Sequence, residues 1–272
     1  MQLRADIAGD LKDTLLTTRF EFLRLFRQRR ILIGVMMAVV LPLIFYIIPP
    51  MFRMDYSTTA VGFASSNLGF ITPLIIISGA IFVGDAISGE FEKKTGLMLF
   101  PTPQRKTAIY SGKYLAAILA IFGIVSIYYL MTLWEIGTIY GFSDIPGELG
   151  KSFLVAMLYS TSVISVIYFF SSFMKRTLTS SIVGFFLLMM VLPMTTAVLK
   201  RVSVDPWFMV TNAADLITNV LGQPTTIFLP GRQIASANSF TPDFYIGCIV
   251  MFAYSLGLFW TALALATRRK ME

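Results

Sequence analysis

Six apolar runs decide what this chain can fold into. They cover residues 31–48, 68–87, 114–134, 152–174, 178–199 and 244–266. Each is close to the ~20 residues a helix needs to cross the hydrocarbon core of a bilayer. Hydrocarbon offers no water to the backbone, so every N–H and C=O must be paired within the segment, as in a helix. Asp85 alone among the charged residues falls inside a run, at its end. A β-barrel would instead show alternating segments of ~10 residues, and none occur. The expected fold class is an all-α integral membrane protein with six transmembrane helices, one domain over residues 1–272. With 56% hydrophobic residues and a mean hydropathy of +0.74, a soluble fold would be hard to keep in solution.

Lys and Arg placement orients the spans. With the N-terminus inside, segments 1–30, 88–113, 175–177 and 267–272 lie in the cytosol and hold 17 of the 22 basic residues. The outside segments 49–67, 135–151 and 200–243 hold 5. The positive-inside rule selects this topology, with both termini cytoplasmic and the protein in the cell (cytoplasmic) membrane. The same asymmetry accounts for the net charge of +7, so no nucleic-acid partner is expected. Cys248, in the last run, is the lone cysteine and excludes an intrachain disulfide. The first 30 residues are too long and too acidic for a signal-peptide n-region, so the first span is expected to be a retained anchor.

Residues 10–28 read as an amphipathic helix. Leu11, Leu15, Phe22 and Phe26 share one face, Asp13, Arg24 and Arg27 the other, and "RLFRQRR" then meets the membrane. Such a helix is expected to lie in the headgroup layer of the lipid bilayer, its basic residues near anionic lipid. Between the fourth and fifth runs stands only "KRT", which forces a tight antiparallel hairpin. The outer loop 200–243 contains "DPWFMVTNAADLITNVLG", where Trp207, Phe208, Leu216, Ile217 and Val220 can form one apolar side of a short helix. Folding back into the outer leaflet and resting on the surface both remain open.

The segment 88–113 is too elaborate for a connection, which needs only a few residues. "EFEKKTGLMLF", residues 90–100, reads as a helix with Glu90, Lys93 and Lys94 exposed, Glu90 and Lys94 in the favourable acid-first i,i+4 order. Pro101 stops that helix by pushing the preceding residue out of the α region. Thr102 and Pro103 supply an N-cap and an N1 proline for a second helix entering the third run. Helix, break and helix make a bend that can be offered to another protein.

This stretch resembles the signature of type 2 ATP-binding-cassette exporter permeases, in which an acid after the second span is followed by a Thr–Gly pair, a leucine-rich turn, a Thr–Pro step, a basic residue and a lysine entering the third span. The matching positions are Glu90, Thr95, Gly96, Leu97, Leu99, Thr102, Pro103, Arg105 and Lys113. Thr95 and Gly96 stand in reverse order, Pro101 is additional, and Arg105 follows Pro103 one residue early. The resemblance implies a single permease domain acting with two ABC ATPase subunits and a second permease copy or a sister permease. It makes 88–113 a cytoplasmic coupling helix whose contact residues are Glu90, Phe91, Glu92, Lys94, Thr95, Leu99, Pro101, Pro103 and Arg105. ATP and Mg would be bound by the partner ATPase.

The residues also say what the chain lacks. No G-x-x-x-x-G-K-[ST] occurs: the nearest candidate, "SGKY", has Thr107 in place of the first glycine and Tyr114 in place of Ser/Thr. Histidine is absent, so neither a metal site of the usual kind nor a histidine base is expected, and no cofactor or catalytic residue is assigned to this chain. The alternatives are an ion-driven secondary transporter, which should carry midplane charges beside interrupted spans, and an intramembrane lipid-modifying enzyme, which should carry several acids at a membrane face. Pro42, Pro73 and Pro193 do interrupt runs, without charges. The expected substrate path is formed by Phe82, Phe185, Phe186, Met189 and Met190 of the second and fifth runs, beside Thr72, Ser78, Thr179, Ser180 and Thr195. Such a surface is costly for a bare ion and favourable for an amphiphile.

Overall fold

The computed structural model describes residues 2–53, 55–92, 104–222, 228–229, 232–233 and 242–269. Among the described residues the fold is helical apart from one two-residue strand pairing, and six helical segments are long and apolar enough to cross a membrane. A long helix α1 (Gln2–Arg27) is followed by the first span α2 (Arg29–Met51). The second span is built from pieces: α3 (Ala60–Leu68), α4 (Ile71–Val83) and α5 (Ser88–Glu92). The third and fourth are the unbroken helices α6 (Lys106–Ile139) and α7 (Leu149–Phe173). The fifth joins α8 (Thr177–Phe186) to α9 (Leu192–Arg201) through a π-helical turn, Leu187–Val191. Two short helices, α10 (Val210–Ala214) and α11 (Leu216–Asn219), precede the last span α12 (Phe244–Arg268). A two-residue antiparallel pairing of β1 (Phe228–Leu229) with β2 (Arg232–Gln233) is the extended structure among the described residues.

The bundle has a buried middle and a lipid-facing rim. In the second and fourth spans 61% of the apolar window is buried, in the fifth only 17%. α7 is the axis. It packs on α12, α4, α6 and α8, and its serines form a ladder that ties them together. Ser152 donates to the Ile217 carbonyl at 2.6 Å, Ser162 to Met251 at 2.7 Å and Ser165 to Ser255 at 2.9 Å. Tyr168 donates to the Tyr110 carbonyl on α6 at 2.7 Å. Ser162 and Ser165 also reach carbonyls of their own helix, so these hydroxyls bridge α7 to its neighbour.

Breaks in the second span have local causes. Pro73 has no N–H for the carbonyl of Gly69, so the chain turns at Gly69–Phe70 and restarts as α4. The π turn in the fifth span ends two residues before Pro193, which likewise cannot donate backwards.

α1 turns its polar side inward. Asp10, Thr14, Thr17, Thr18, Glu21 and Leu25 recur at helical spacing and face the start of α6, where Gly112 permits close approach. Leu11, Leu15, Phe20 and Phe26 are left exposed on the opposite side. Between α9 and α12, Leu216 and Ile217 are buried against α7 and α12, while Trp207 and Phe208 are exposed, so these residues do not share one apolar side.

A Cβ at Gly79 would lie 2.9 Å from Ile167 and 3.2 Å from Val163, at the closest approach of α4 to α7. Gly79→Leu is therefore expected to destabilise the fold by about 1–3 kcal/mol through overpacking. The midpoint of thermal unfolding in detergent measures it, and an unchanged midpoint would contradict this helix contact.

Candidate functional site

Where the second span ends, at the end of the bundle that carries the start of α6 and the end of α12, the backbone leaves α-helical geometry over Gly84–Ile87. The Ile87 and Ser88 amides have no backbone acceptor there, which would be expensive in the middle of a protein. Ser171 of α7 covers them. Its hydroxyl accepts from the amides of Ile87 and Ser88, both at 3.1 Å, and donates to the Gly84 carbonyl at 3.1 Å. Ser88 adds a bond to the same carbonyl at 2.9 Å. A side chain of the fourth span thus caps the short helix α5.

Charges then anchor α5 and its surroundings. Glu90 and Lys113 form an ion pair in which both side chains are almost wholly buried. Lys113 also reaches Glu21 of α1 at 3.5 Å and donates to the Ala86 carbonyl at 3.2 Å. Asp85 pairs with Arg30 of α2 at 2.7 Å. Glu92 accepts from both the backbone N–H and the hydroxyl of Thr177, at the start of α8. Arg269 lies over the Phe91 ring at 4.1 Å and donates to the carbonyls of Ser172 and Met174 at 3.1 and 3.0 Å. Burial lowers the Arg269 pKa from the usual guanidinium range. Arg105, the N-cap of α6, pairs with Asp10 of α1 at 2.7 Å. Every other element that reaches this end of the bundle touches the α4–α5 junction or its ion pairs.

The positions proposed from sequence separate into three groups. Glu90, Phe91, Glu92 and Arg105 are brought into this network. Lys94, Thr95, Leu99, Pro101 and Pro103 lie outside the described residues. Glu90 is corrected in one respect: it was expected exposed and paired with Lys94, but it is 4% exposed and its partner is Lys113. The helix turns its face toward α6 because Lys113, two turns into that helix, supplies a buried cation that the carboxylate neutralises.

Phe185 lines a groove of about 630 Å³ between α2, α4 and α8, together with Ile33, Ile77, Ile81 and Ile182. Arg30, Asp85 and Glu92 close its polar end. Phe186, Met189 and Met190 are exposed along the fifth span. Phe82 is 3% exposed and packs against Gly34 of α2, within the core.

Sequence reasoning missed Glu135, which sits one residue past the end of the third apolar run. α6 continues through it to Ile139, and its side chain is fully buried against Asn67 of α3. The continuing 3.6-residue periodicity of Tyr128, Thr132, Glu135 and Ile136 was the available signal. Glu21 was missed too, its position on the α6-facing stripe of α1 being visible only once the two helices pack.

Residues 17–192, about two-thirds of the chain, match a family model described as ABC-2 family transporter protein. The match runs from the second half of α1 to the first residue of α9 and so contains the whole junction. No curated protein matches the chain.

Removing one member of a buried ion pair leaves the other uncompensated, at a cost of about 3–5 kcal/mol, whereas replacing both by apolar side chains is close to neutral. Lys113→Met is therefore expected to destabilise strongly and Lys113→Met/Glu90→Met to recover most of the loss in a detergent unfolding series. Ser171→Val is expected to cost about 1–3 kcal/mol in the same series, because the Ile87 and Ser88 amides lose their acceptor. Additive losses for the two ion-pair substitutions would contradict the pairing.

Proposed function

Because the chain belongs to the ABC-2 family of transporter proteins, we propose that it is the permease subunit of an ATP-driven exporter. It is a multi-pass membrane protein of a transport family and not itself the catalytic component. In this reading two ABC ATPase subunits bind ATP and Mg, and the chain pairs with a second copy or a sister permease. It resides in the cytoplasmic membrane with both termini in the cytosol. Segment 88–113 contacts the ATPase, and α1 lies in the headgroup layer with Leu11, Leu15, Phe20 and Phe26 toward lipid.

The observation that carries this reading is the anchoring of α5 inside the family-matched region. ATP binding draws the two ATPases together and displaces the coupling segment. A free loop would absorb that displacement by bending. α5 is instead held to α6 by Glu90–Lys113, to α7 by Ser171 and to α8 by Glu92–Thr177. Displacement of α5 therefore moves the third, fourth and fifth spans with it. The groove beside α8 then changes shape, since α4 and α8 form two of its walls.

Its walls favour an amphiphilic cargo. The apolar residues accept an acyl or aromatic portion, and the end with Arg30, Asp85 and Glu92 accepts a polar one. A bare ion would lose its hydration along Ile33, Ile77 and Ile182 with nothing to replace it.

The purified chain alone is expected to hydrolyse no ATP, and a co-expressed ABC ATPase is expected to co-purify with it and to be stimulated by lipids or hydrophobic drugs over metal ions. Turnover by a preparation shown free of other proteins, or flux driven by a proton or sodium gradient without ATP, would overturn the reading.

A further inference from the structure

At the opposite end of the bundle, where α6 ends and α7 begins, Glu135 has no exposed surface. Asn67 Nδ2 donates to its Oε2 at 2.7 Å, and Oε1 is buried without a partner. Among the described residues no Lys or Arg pairs with this carboxyl. The ionisable groups that face it are phenols: Tyr128 on its own helix and Tyr56 on the segment leading into α3. α3 and α11 carry no acid or base, while Arg53, Asp55, Asp144 and Glu148 on the adjoining segments, and Lys151 in the first turn of α7, are exposed. A lone carboxylate in such surroundings is expensive, and the ordinary resolution is to neutralise it.

We propose that Glu135 is a proton-binding site that latches α3 to α6, its carboxyl holding a proton on Oε1 while the two helices are docked and releasing it when they part. Asn67 stands in the last turn before the Gly69–Phe70 break. Its side chain meets Glu135, its carbonyl accepts from the Tyr128 hydroxyl at 2.7 Å, and its Oδ1 accepts from Thr132 at 3.4 Å. The latch thus grips the second span at its break. When α3 moves away, water reaches the carboxyl. The O–H bond then breaks with its electron pair left on the oxygen, and the proton passes to water. The docked state binds one proton more than the undocked state, so docking strengthens as pH falls and weakens as pH rises. The second span gains a pH-sensitive half that is separate from the ion pairs around α5 and does not depend on the exporter reading.

Infrared spectroscopy of the purified chain in lipid nanodiscs tests the proton directly. At neutral pH the wild type should show the C=O stretch of a buried protonated carboxyl that is missing from Glu135→Gln, a substitution that keeps an acceptor for Asn67. Identical spectra in this region would overturn the proposal. The linkage is read by thiol labelling of Ala64→Cys, on the buried side of α3, in a Cys248→Ala background. Its rate should climb with pH more steeply with Glu135 than with Glu135→Gln, up to about ten-fold per pH unit for one linked proton. Equal pH dependence in the two backgrounds would overturn the latch even if the carboxyl is protonated.

Discussion

Every interruption of a helix inside this bundle must find a hydrogen-bond partner on a neighbouring helix, because lipid supplies none. The rest of the architecture follows from that constraint. The second span is interrupted twice, and each interruption is met by a long unbroken helix. At Gly69–Phe70 the Asn67 carbonyl is taken up by Tyr128 of α6. At Gly84–Ile87 the exposed amides are taken up by Ser171 of α7. The broken span can exist only because α6 and α7 are continuous on either side of it.

The same two helices also set where charge is tolerated. Lys113 is held by Glu90 and Glu21 at one end of α6, and Glu135 is held by Asn67 at the other. The first arrangement is a compensated pair between three elements, which makes the α4–α5 junction stiff. The second has no counter-ion among the described residues, and one of its oxygens is left without a partner.

The helix α1 shows how a polar face can be a packing face. In a soluble protein the leucines and phenylalanines of such a helix would turn inward. Here Thr14, Thr17 and Glu21 meet α6, with Gly112 removing the side chain that would hold the helices apart. Leu15 and Phe26 remain outside, 59% and 63% exposed.

The number and type of spans were legible in the sequence because run length and the absence of charge are local properties tied to bilayer thickness. The family resemblance was legible in the order of residues after the second span, and the match over residues 17–192 shows that family. The charge pattern around Glu90 was legible, but not the burial of Glu90, since its partner lies 23 positions along the chain on another helix. Glu135 escaped notice because hydropathy ends a run at the first charge, whereas a helix continues wherever a neighbour can pair that charge. Sequence by itself determined which segments enter the membrane, through the transfer free energy of each side chain. Only the tertiary structure decided which polar groups inside it are paired and which are left without a partner, because pairing is a relation between helices that no single segment contains.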